Sequence, residues 1–250
     1  MKRVHDDIRI VYRDDDIVVV DKPAGLTTVR HRHEAAEFGK RAQRFLPATL
    51  VDVLPALLKS KRAGKGAPQI RVRAVHRLDK ETSGLLVLAL TAAAESQLGR
   101  QFRGTAVERR YLALVRGKGK TERIASHLVE DRGDGRRGSS TSGGGKYAVT
   151  EVRLVEDLGD NSLVECRLET GRTHQVRIHL GETGTPLCGE RIYDRPVHGK
   201  PLPDPSGFHR PALHASHLAI SHPRTGKRLS WTMGLPDDMA RLLKQFRAAE

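Results

Sequence analysis

Several residue types that define whole classes of protein are scarce in this chain of 250 residues. It has only two cysteines, Cys166 and Cys188, which are too few for a disulfide framework or a cysteine-rich metal site. Aromatic residues make up 4% of the chain, so the predicted core must be mainly aliphatic. The longest clean apolar run, residues 85–90, has the length of a strand and falls far short of the roughly 20 residues of a membrane-spanning helix. We therefore expect neither an integral membrane protein nor a disulfide-stabilised secreted domain.

The first residues also lack the apolar stretch of a secretory signal, since no apolar run follows the basic residues of MKRVHDD. Together with the scarcity of cysteine, this predicts a reducing, cytoplasmic setting.

Metal ligands and nucleotide-binding loops are missing as well. The chain has no HExxH motif and no CxxC pair, and the grouped His209, His214 and His217 fall short of a convincing ligand set. The glycine-rich segment at 143–146 lacks the GxxxxGK[ST] spacing of a phosphate-binding loop. We expect no metal site and no P-loop.

Positive charge, in contrast, is abundant. Lysine and arginine number 44 against 30 aspartate and glutamate residues, which gives a formal net charge of +14. A surplus of this size attracts polyanions. Because the basic residues are dispersed and form no amphipathic segment, nucleic acid is favoured over an anionic membrane as the partner. A basic, solvated surface without a partner is the alternative that charge alone leaves open.

The apolar pattern predicts more strands than helices. Strands are predicted at 8–12, 17–20, 85–90, 111–115, 147–155, 163–168 and 174–180, and helices at 92–102 and from Pro236 onward. A further helical spacing at 50–58 contains Pro55, which is expected to kink or delay that helix. Because the strands do not alternate regularly with helices, we predict an α+β fold with a mostly antiparallel sheet and flanking helices. We expect one domain over residues 1–250, with a basic insertion at about 30–68 and a mobile, exposed loop at about 131–145.

The segment 76–84, HRLDKETSG, is the first candidate site. Asp79 lies between Arg77 and Lys80, and a Thr-Ser-Gly turn leads from it into the buried strand at 85–90. A carboxylate between cations stays ionised, which suits a nucleophile or a base better than a proton donor. The alternative is an aspartate that only caps a turn or forms a surface ion pair.

The segment 171–180, GRTHQVRIHL, is the second candidate site. Its alternation predicts a strand with apolar residues on one face and, on the other, Thr173, Gln175, Arg177 and His179. A row of donors with a guanidinium is suited to a phosphate or carboxylate. An ordinary solvated sheet face is the alternative.

Taken together, the motifs resemble those of the RluA family of RNA pseudouridine synthases. His76-Arg77-Leu78-Asp79 followed by TSGL is similar to the family's HRLDxxTSGL motif, and GRTHQVRIHL to its GRTHQIRxHL motif. Four further segments match in the family's order, at 21–26, 110–117, 186–193 and 213–226. The resemblance extends from about residue 8 to about residue 240.

The resemblance implies an isomerase that converts specific uridines of RNA to pseudouridine. In this family Asp79 would be the essential carboxylate, Tyr111 would pack against the target base and assist proton removal, and Arg177 would pair with the aspartate. Arg77 would help to open the nucleotide site. The other substrate-binding residues implied by the matching motifs are His76, Arg172, Thr173, His174 and Gln175. The implied fold is a bent, mostly antiparallel sheet with a central cleft, and the reaction requires no cofactor.

The implied partner is RNA, either ribosomal RNA or transfer RNA or both, and the protein is expected to act as a monomer. Many relatives begin with a small S4-type RNA-binding domain, for which this sequence leaves no room, so we expect the catalytic domain itself to contact RNA. The candidate phosphate contacts are Arg30, Arg32, Lys40, Arg41, Arg44, Arg132, Arg136 and Arg137.

Cys188 and Glu190 replace more common residues in the turn motif, and we expect little effect from either change. A non-catalytic RNA-binding protein that retains the fold is the main alternative function. A glycoside or nucleoside hydrolase would in most mechanisms need a second carboxylate, and no motif marks Glu81 for that role.

Overall fold

The computed structural model describes residues 7–30, 46–59, 70–140, 142–196 and 199–249. The chain divides into two compact units. The first comprises Met1–Gly104 and Ser221–Leu229, and the second comprises Thr105–Ile220 and Ser230–Glu250.

The first unit is built on a small antiparallel sheet. Its elements are strands β1 (Arg9–Arg13), β2 (Ile17–Lys22), β3 (Arg73–Ala74) and β4 (Ser83–Ala89), and helices α1 (Leu50–Leu58) and α2 (Ala92–Arg103). β2 pairs with β1 on one side and with β4 on the other, and β3 also pairs with β4. All seven residues of β4 are buried, as its continuous apolar run predicts.

Local sequence explains how the two helices of this unit begin. The Thr91 hydroxyl accepts a hydrogen bond from the Ala94 amide at 3.1 Å and caps α2. At α1 the Asp52 carboxylate accepts from the Thr49 amide at 2.8 Å. α1 continues through Pro55 and buries Leu50, Leu54 and Leu58. The helix predicted at 50–58 is therefore confirmed, and the proline does not end it.

The second unit holds most of the antiparallel sheet. Its strands are β5 (Glu108–Arg116), β6 (Glu122–Val129), β7 (Gly138–Ser139), β8 (Lys146–Leu158), β9 (Asn161–Leu168), β10 (Leu213–Ser221) and β11 (Arg228–Thr232), although the last residue of β10 and the first two of β11 belong to the first unit. The strand order is β10-β5-β9-β8-β6-β7, and β11 pairs with β10. The helices are α3 (Gln175–Glu182) and α4 (Asp237–Arg247).

A core cluster fixes the C-terminal helix within the second unit. Met239, Leu242 and Leu243 of α4 are buried in a cluster that also contains Leu114 of β5 and Leu163 of β9. These are the apolar positions at helical spacing that predicted a helix beginning near Pro236.

The predicted α+β class and the mostly antiparallel pairing are confirmed. The strands predicted at 8–12, 17–20, 85–90, 111–115, 147–155 and 163–168 and the helix at 92–102 all correspond to observed elements. Among the described residues, no helix combines the length and the apolar character that crossing a membrane requires. The single-domain organisation stays a prediction.

The strand predicted at 174–180 is wrong, because this segment is helix α3. Seven consecutive residues of the helix are buried, from Gln175 to Gly181. In a fully buried helix the polar side chains do not mark a solvent face, so their alternation with Val176, Ile178 and Leu180 carries no information about strand pleating. The polar residues are tolerated because each has a specific partner, as described below.

The loop predicted at 131–145 is exposed over much of its length but includes β7 and a buried ion pair. Arg132 donates to the Glu182 carboxylate at 3.0 Å, and both side chains are less than one-tenth exposed. The Ser139 amide donates to the same carboxylate at 2.9 Å. Arg132 is thus committed to the end of α3, and its prediction as a phosphate contact is wrong. Of the candidate contacts in the insertion, Arg32, Lys40, Arg41 and Arg44 lie outside the described residues.

Candidate active site

Asp79 lies in the turn that leads into the buried strand β4 of the first unit. The Thr82 amide donates to the Asp79 carbonyl oxygen at 3.1 Å, and β4 begins at the next residue, Ser83. The Asp79 side chain is half-buried. A rigid strand therefore supports the loop that carries this carboxylate, which is a common way to position a reactive group.

A buried lysine anchors the loop that carries Asp79. The side chain of Lys22, at the end of β2, is fully buried. Its ammonium group donates to the carbonyl oxygens of Pro23 and Leu26, both at 2.8 Å, and of Lys80 at 3.1 Å. Because Lys80 directly follows Asp79, this one ammonium group joins the DKPAGL segment to the aspartate loop.

Backbone and hydroxyl hydrogen bonds reinforce the same junction. The Thr28 hydroxyl donates to the Leu78 carbonyl at 2.9 Å and accepts from the Leu78 amide at 3.3 Å. The amide of Gly25, which has a φ of +82°, donates to the Lys80 carbonyl at 2.8 Å. The residues on both sides of Asp79 are therefore held by the upstream segment.

His76 and Arg77 have different environments in this unit. The His76 Nε2 atom accepts a hydrogen bond from the Val87 amide of β4 at 3.2 Å, and its ring stacks on Phe102 at 4.1 Å. Arg77 is exposed and has no hydrogen bond or ion pair with any residue that the structure describes. His76 therefore supports the loop, whereas the Arg77 guanidinium is available to a ligand.

Tyr111 lies in β5 of the second unit, opposite Cys166 of β9 and Ala215 of β10, and is nearly buried. Arg109 is its neighbour: burial lowers the pKa of Arg109, and the nearby Tyr111 opposes that shift. A Cβ atom at Gly171 would collide with the Arg109 guanidinium. The glycine of the GRTHQ motif therefore leaves the space that a buried arginine beside Tyr111 occupies.

Gln175 organises the turn before α3. Its Oε1 atom accepts from the Thr170 hydroxyl at 2.7 Å and from the Arg172 amide at 3.0 Å. Its Nε2 atom donates to the Val149 carbonyl at 2.9 Å and to the Thr150 hydroxyl at 3.0 Å. The buried glutamine thereby ties the turn to β8.

This turn presents Arg172 and Thr173 to solvent and then places His174 in an unusual conformation. His174 is the only residue other than glycine with a positive φ (58°) in the described part of the chain. Such a conformation costs about 1 kcal/mol for an L-residue. The His174 Nδ1 atom shares a hydrogen bond of 2.8 Å with the Tyr193 hydroxyl, which helps to hold the ring in place.

Arg177 forms a buried ion pair with Glu190. Its Nε and Nη2 atoms donate to the two carboxylate oxygens of Glu190 at 2.7 and 2.8 Å. Burial by itself would raise the pKa of Glu190, but the hydrogen bonds from Arg177 and from backbone amides hold this pKa below its ordinary value. The Arg177 guanidinium also lies over the Tyr193 ring, 5.2 Å from its centroid. Glu190 thus has a clear structural role, and the expectation that glutamate in place of the more common residue has little effect stays a prediction.

His179 is buried one helical turn from Gln175. Its Nδ1 atom is 2.8 Å from the Thr150 hydroxyl and its Nε2 atom is 3.1 Å from the Ser126 hydroxyl. Burial lowers the pKa of His179 to about 4. The imidazole is therefore neutral at neutral pH and joins α3 to β6 and β8.

The two candidate segments belong to different units. His76, Arg77 and Asp79 lie in the first unit, and Tyr111 and residues 172–177 lie in the second. The pairing of Arg177 with Asp79 stays a prediction. Sequence reasoning missed Lys22, Arg109 and Tyr193 as members of these networks, although all three lie in or next to a matching motif.

One cluster in the first unit has the composition of a metal site. Ligand atoms of Asp14, Asp16 and His222 lie within 4.8 Å of one another. The protein itself supplies partners for both carboxylates: the Arg224 Nε atom is 2.7 Å from the Asp16 carboxylate, and the His222 Nε2 atom is 2.9 Å from the Asp14 carboxylate. This cluster therefore fastens the turn at 222–226 to the first hairpin.

Comparison with known proteins indicates the same family as the sequence motifs. The model of the family described as RNA pseudouridylate synthase matches residues 16–182. The ribosomal large subunit pseudouridine synthases D of Nitrosomonas europaea and Zymomonas mobilis are each 39% identical to this chain over 96% of its length. The chain spans 65% of the first relative and 73% of the second.

Solved structures agree with this relationship. Human RNA Pseudouridylate Synthase Domain Containing 4 has a TM-score of 0.73 and 25% identity, and the match covers 95% of this chain and 92% of that one. Human RNA Pseudouridylate Synthase Domain Containing 1, at 24% identity and a TM-score of 0.64, shares the fold. With most of the sequence matched by the family model and with relatives this similar, the chain belongs to the RNA pseudouridylate synthase family.

Proposed function

We propose that this chain is an RNA pseudouridine synthase, an isomerase that acts on uridines of ribosomal RNA with Asp79 as its essential carboxylate. The observation that carries the proposal is the construction around Asp79. A half-buried carboxylate stands on a loop that is held by a fully buried strand on one side and by the Lys22 ammonium on the other. Such a carboxylate has a fixed position and remains accessible to a substrate.

The reaction explains why a carboxylate is needed. Isomerisation breaks the C1′–N1 bond of uridine, turns the base and forms a C1′–C5 bond, while the hydrogen at C5 is lost and N1 gains one. The atoms and electrons balance without an oxidant or a reductant, and so no cofactor is required. Asp79 would stabilise or trap the electron-poor sugar, as carboxylates do in glycosidases, or would remove a proton from the sugar.

Tyr111 and Arg109 would act on the base. The Tyr111 ring offers a flat apolar surface for a flipped uracil, and its phenolate form would be suited to taking the proton from C5. The neighbouring Arg109 guanidinium would stabilise the negative charge of that phenolate until the proton transfer neutralises it. Arg77, exposed and uncommitted among the described residues, is suited to the space that the flipped base leaves.

Ribosomal RNA is the proposed substrate because the relatives from Nitrosomonas and Zymomonas carry that substrate in their names. The net charge of +14 supports a large RNA as the partner. We also propose that the protein acts as a monomer in the cytoplasm, where its two buried cysteines would stay reduced.

The test is pseudouridine formation in large-subunit ribosomal RNA transcribed in vitro, with a transfer RNA pool in parallel. Asp79→Asn should lower the rate at least about a thousandfold, equivalent to about 4 kcal/mol of barrier, while RNA affinity and the melting temperature change little. Asp15→Asn is the matched control, because Asp15 lies in the same unit and its side chain is 94% exposed.

Each outcome has a definite meaning. A rate for Asp79→Asn within tenfold of wild type would contradict the role of this residue. Wild-type protein that bound RNA but formed no pseudouridine in either RNA would favour the non-catalytic RNA-binding alternative. Modification of transfer RNA alone would contradict the ribosomal substrate.

A further inference from the structure

We infer that a pocket in the second unit, which we call the flanking pocket, binds one unpaired nucleotide of the RNA other than the target uridine. The flanking pocket has a volume of about 410 Å³ and lies beside the turn at 171–173. Its rim carries Arg137, Lys146 and Arg172, and its floor includes Leu128 and Ile178. The inference rests on the proposed function for the identity of its ligand, but its location rests on this cavity alone.

The floor of the flanking pocket is apolar and rigid. Ile178 is fully buried and Leu128 is nearly so, and both belong to a core cluster with Ala148 and Tyr193. Val129, which is only partly buried, also lines the pocket, and a flat base gains free energy by covering such accessible apolar surface, whereas an isolated phosphate does not. This floor therefore points to a ligand with an apolar face.

The rim supplies positive charge that is open to a ligand. Lys146 is exposed, and its ammonium group has no hydrogen bond or ion pair with any described residue. Arg172 uses its Nε atom to donate to the Tyr147 carbonyl at 3.0 Å, and its two terminal nitrogens have no bond to the described part of the chain. These groups are suited to the phosphates on either side of a base.

The third cation has a partner that a phosphate can compete with. Arg137 donates to Glu130 at 2.9 Å, and the Glu130 side chain is 86% exposed. An ion pair with so exposed a carboxylate contributes little stability. The pocket lining therefore has three cations against one carboxylate, which favours an anionic ligand.

Size and chemistry together select a nucleotide. The volume lies within the range of small-molecule sites, roughly 300–1,000 Å³, and is ample for a base with its sugar. Proteins read RNA mostly through unpaired bases that leave the stack and enter such pockets. Because Tyr111 and Arg109 are the groups assigned to the target base, the flanking pocket would hold a neighbouring nucleotide.

A binding cycle tests this inference without depending on turnover. The probe is the fragment of large-subunit ribosomal RNA that the protein protects from nuclease, made synthetically with an abasic site at each unpaired position in turn. Dissociation constants are measured for wild type, for Thr173→Trp, for Lys146→Gln/Arg172→Gln and for the control Arg153→Gln. Thr173 is exposed on the pocket lining, so tryptophan there fills the cavity, and circular dichroism with melting curves verifies that the variant folds.

One abasic position should weaken wild-type binding about tenfold, and Thr173→Trp should weaken binding of the intact fragment by a similar factor. The two losses should not multiply, because both remove the same contact. The double charge variant should weaken binding of all fragments about tenfold, whereas Arg153→Gln, on the exposed sheet face outside the pocket, should stay within twofold.

The inference would be overturned if the two losses multiplied, if no single position mattered, or if free AMP bound the pocket at micromolar concentration. The last result would identify a site for mononucleotides instead of RNA. A failure of the proposed function would look different, because wild-type protein would then make no pseudouridine, whatever the affinities.

Discussion

The Asp79 loop and the α3 region hold their candidate residues by different physical means. Around Asp79 the anchors are the Lys22 ammonium and the Thr28 hydroxyl, which bond to the backbone of the neighbouring segments. Around α3 side chains also pair with one another, above all Arg177 with Glu190. The first network contains one buried cation that is surrounded by carbonyl dipoles, and the second contains a buried pair of opposite charges.

This difference separates function from stability in one region and couples them in the other. The bonds from Lys22 and Thr28 end on the backbone of Lys80 and Leu78, so a change of the Asp79 side chain leaves these bonds in place. Arg177 is both a proposed active-site residue and half of a buried ion pair. Removal of one partner of such a pair leaves an uncompensated charge, which is far more costly than the pair itself is stabilising.

The largest stability effect is therefore expected at Arg177. Arg177→Met should lower the free energy of unfolding by about 3–5 kcal/mol, because the Glu190 carboxylate loses its bidentate partner in a buried site. Arg177→Met/Glu190→Gln should regain part of this loss, since the second change removes the buried charge. Urea unfolding measures both, and pseudouridine formation should stay low in both variants. A loss below 1 kcal/mol in the single variant would mean that the pair is well solvated in solution.

Lys22 tests how the Asp79 loop is anchored. Lys22→Met keeps most of the volume of the side chain but removes the donor to the Pro23 and Leu26 carbonyl oxygens and leaves the Lys80 carbonyl with the Gly25 amide, which should cost about 1–3 kcal/mol. Activity should fall further than binding, because the Asp79 loop loses its anchor while the RNA contacts remain. Lys80→Met is the control, since only the backbone of Lys80 enters this network. Equal activity of the two variants would show that the loop needs no such anchor.

Acidification should affect the α3 region selectively. The pKa of His179 is about 4 in the folded protein and about 6.5 in an unfolded chain, so the unfolded state binds more protons between these values. Stability conferred by the neutral imidazole is thus present above pH 6.5 and is lost as the pH falls toward 4, by about 2 kcal/mol between pH 7 and pH 5.

The matching variant is His179→Gln, which retains a hydrogen-bonding side chain without a titrating group. The difference between the unfolding free energies at pH 7 and pH 5 should be about 2 kcal/mol smaller in this variant than in wild type. Part of the loss should remain, because burial also lowers the pKa of His214 to about 4. An unchanged pH dependence would contradict the buried, neutral state of His179.

The smallest effect is expected in the loop at 131–140. Arg136→Gln should reduce the slope of log affinity against log salt by about one unit if Arg136 contacts a phosphate. Arg132→Gln should leave the slope unchanged and lower stability instead, because Arg132 is paired with Glu182. RNA titrations at several salt concentrations, with melting curves beside them, separate the two results. A slope that fell equally for both would mean that the Arg132 pair opens when RNA binds.

Sequence alone predicted most of the strands and the placement of Asp79 at the start of β4. The run at 85–90 predicted a doubly buried strand because nothing polar interrupts it, and such a run has few other structures open to it. The segment at 174–180 was wrongly predicted as a strand. Its polar and apolar residues alternate as they would in a strand, but α3 is buried on all sides and the alternation does not mark a solvent face. Alternation of polar and apolar residues is thus informative where one face meets solvent and loses its meaning where none does.

The family follows from the amino-acid sequence, since the order and spacing of six motifs require no coordinates to be recognised. Which residues support those motifs depends on the folded chain. Lys22 meets the Lys80 carbonyl across 58 residues, and Arg177 meets Glu190 across 13, and neither pairing follows from local spacing. Both depend on where the folded chain buries a charge, because a buried ammonium or carboxylate must find partners that the local sequence does not name.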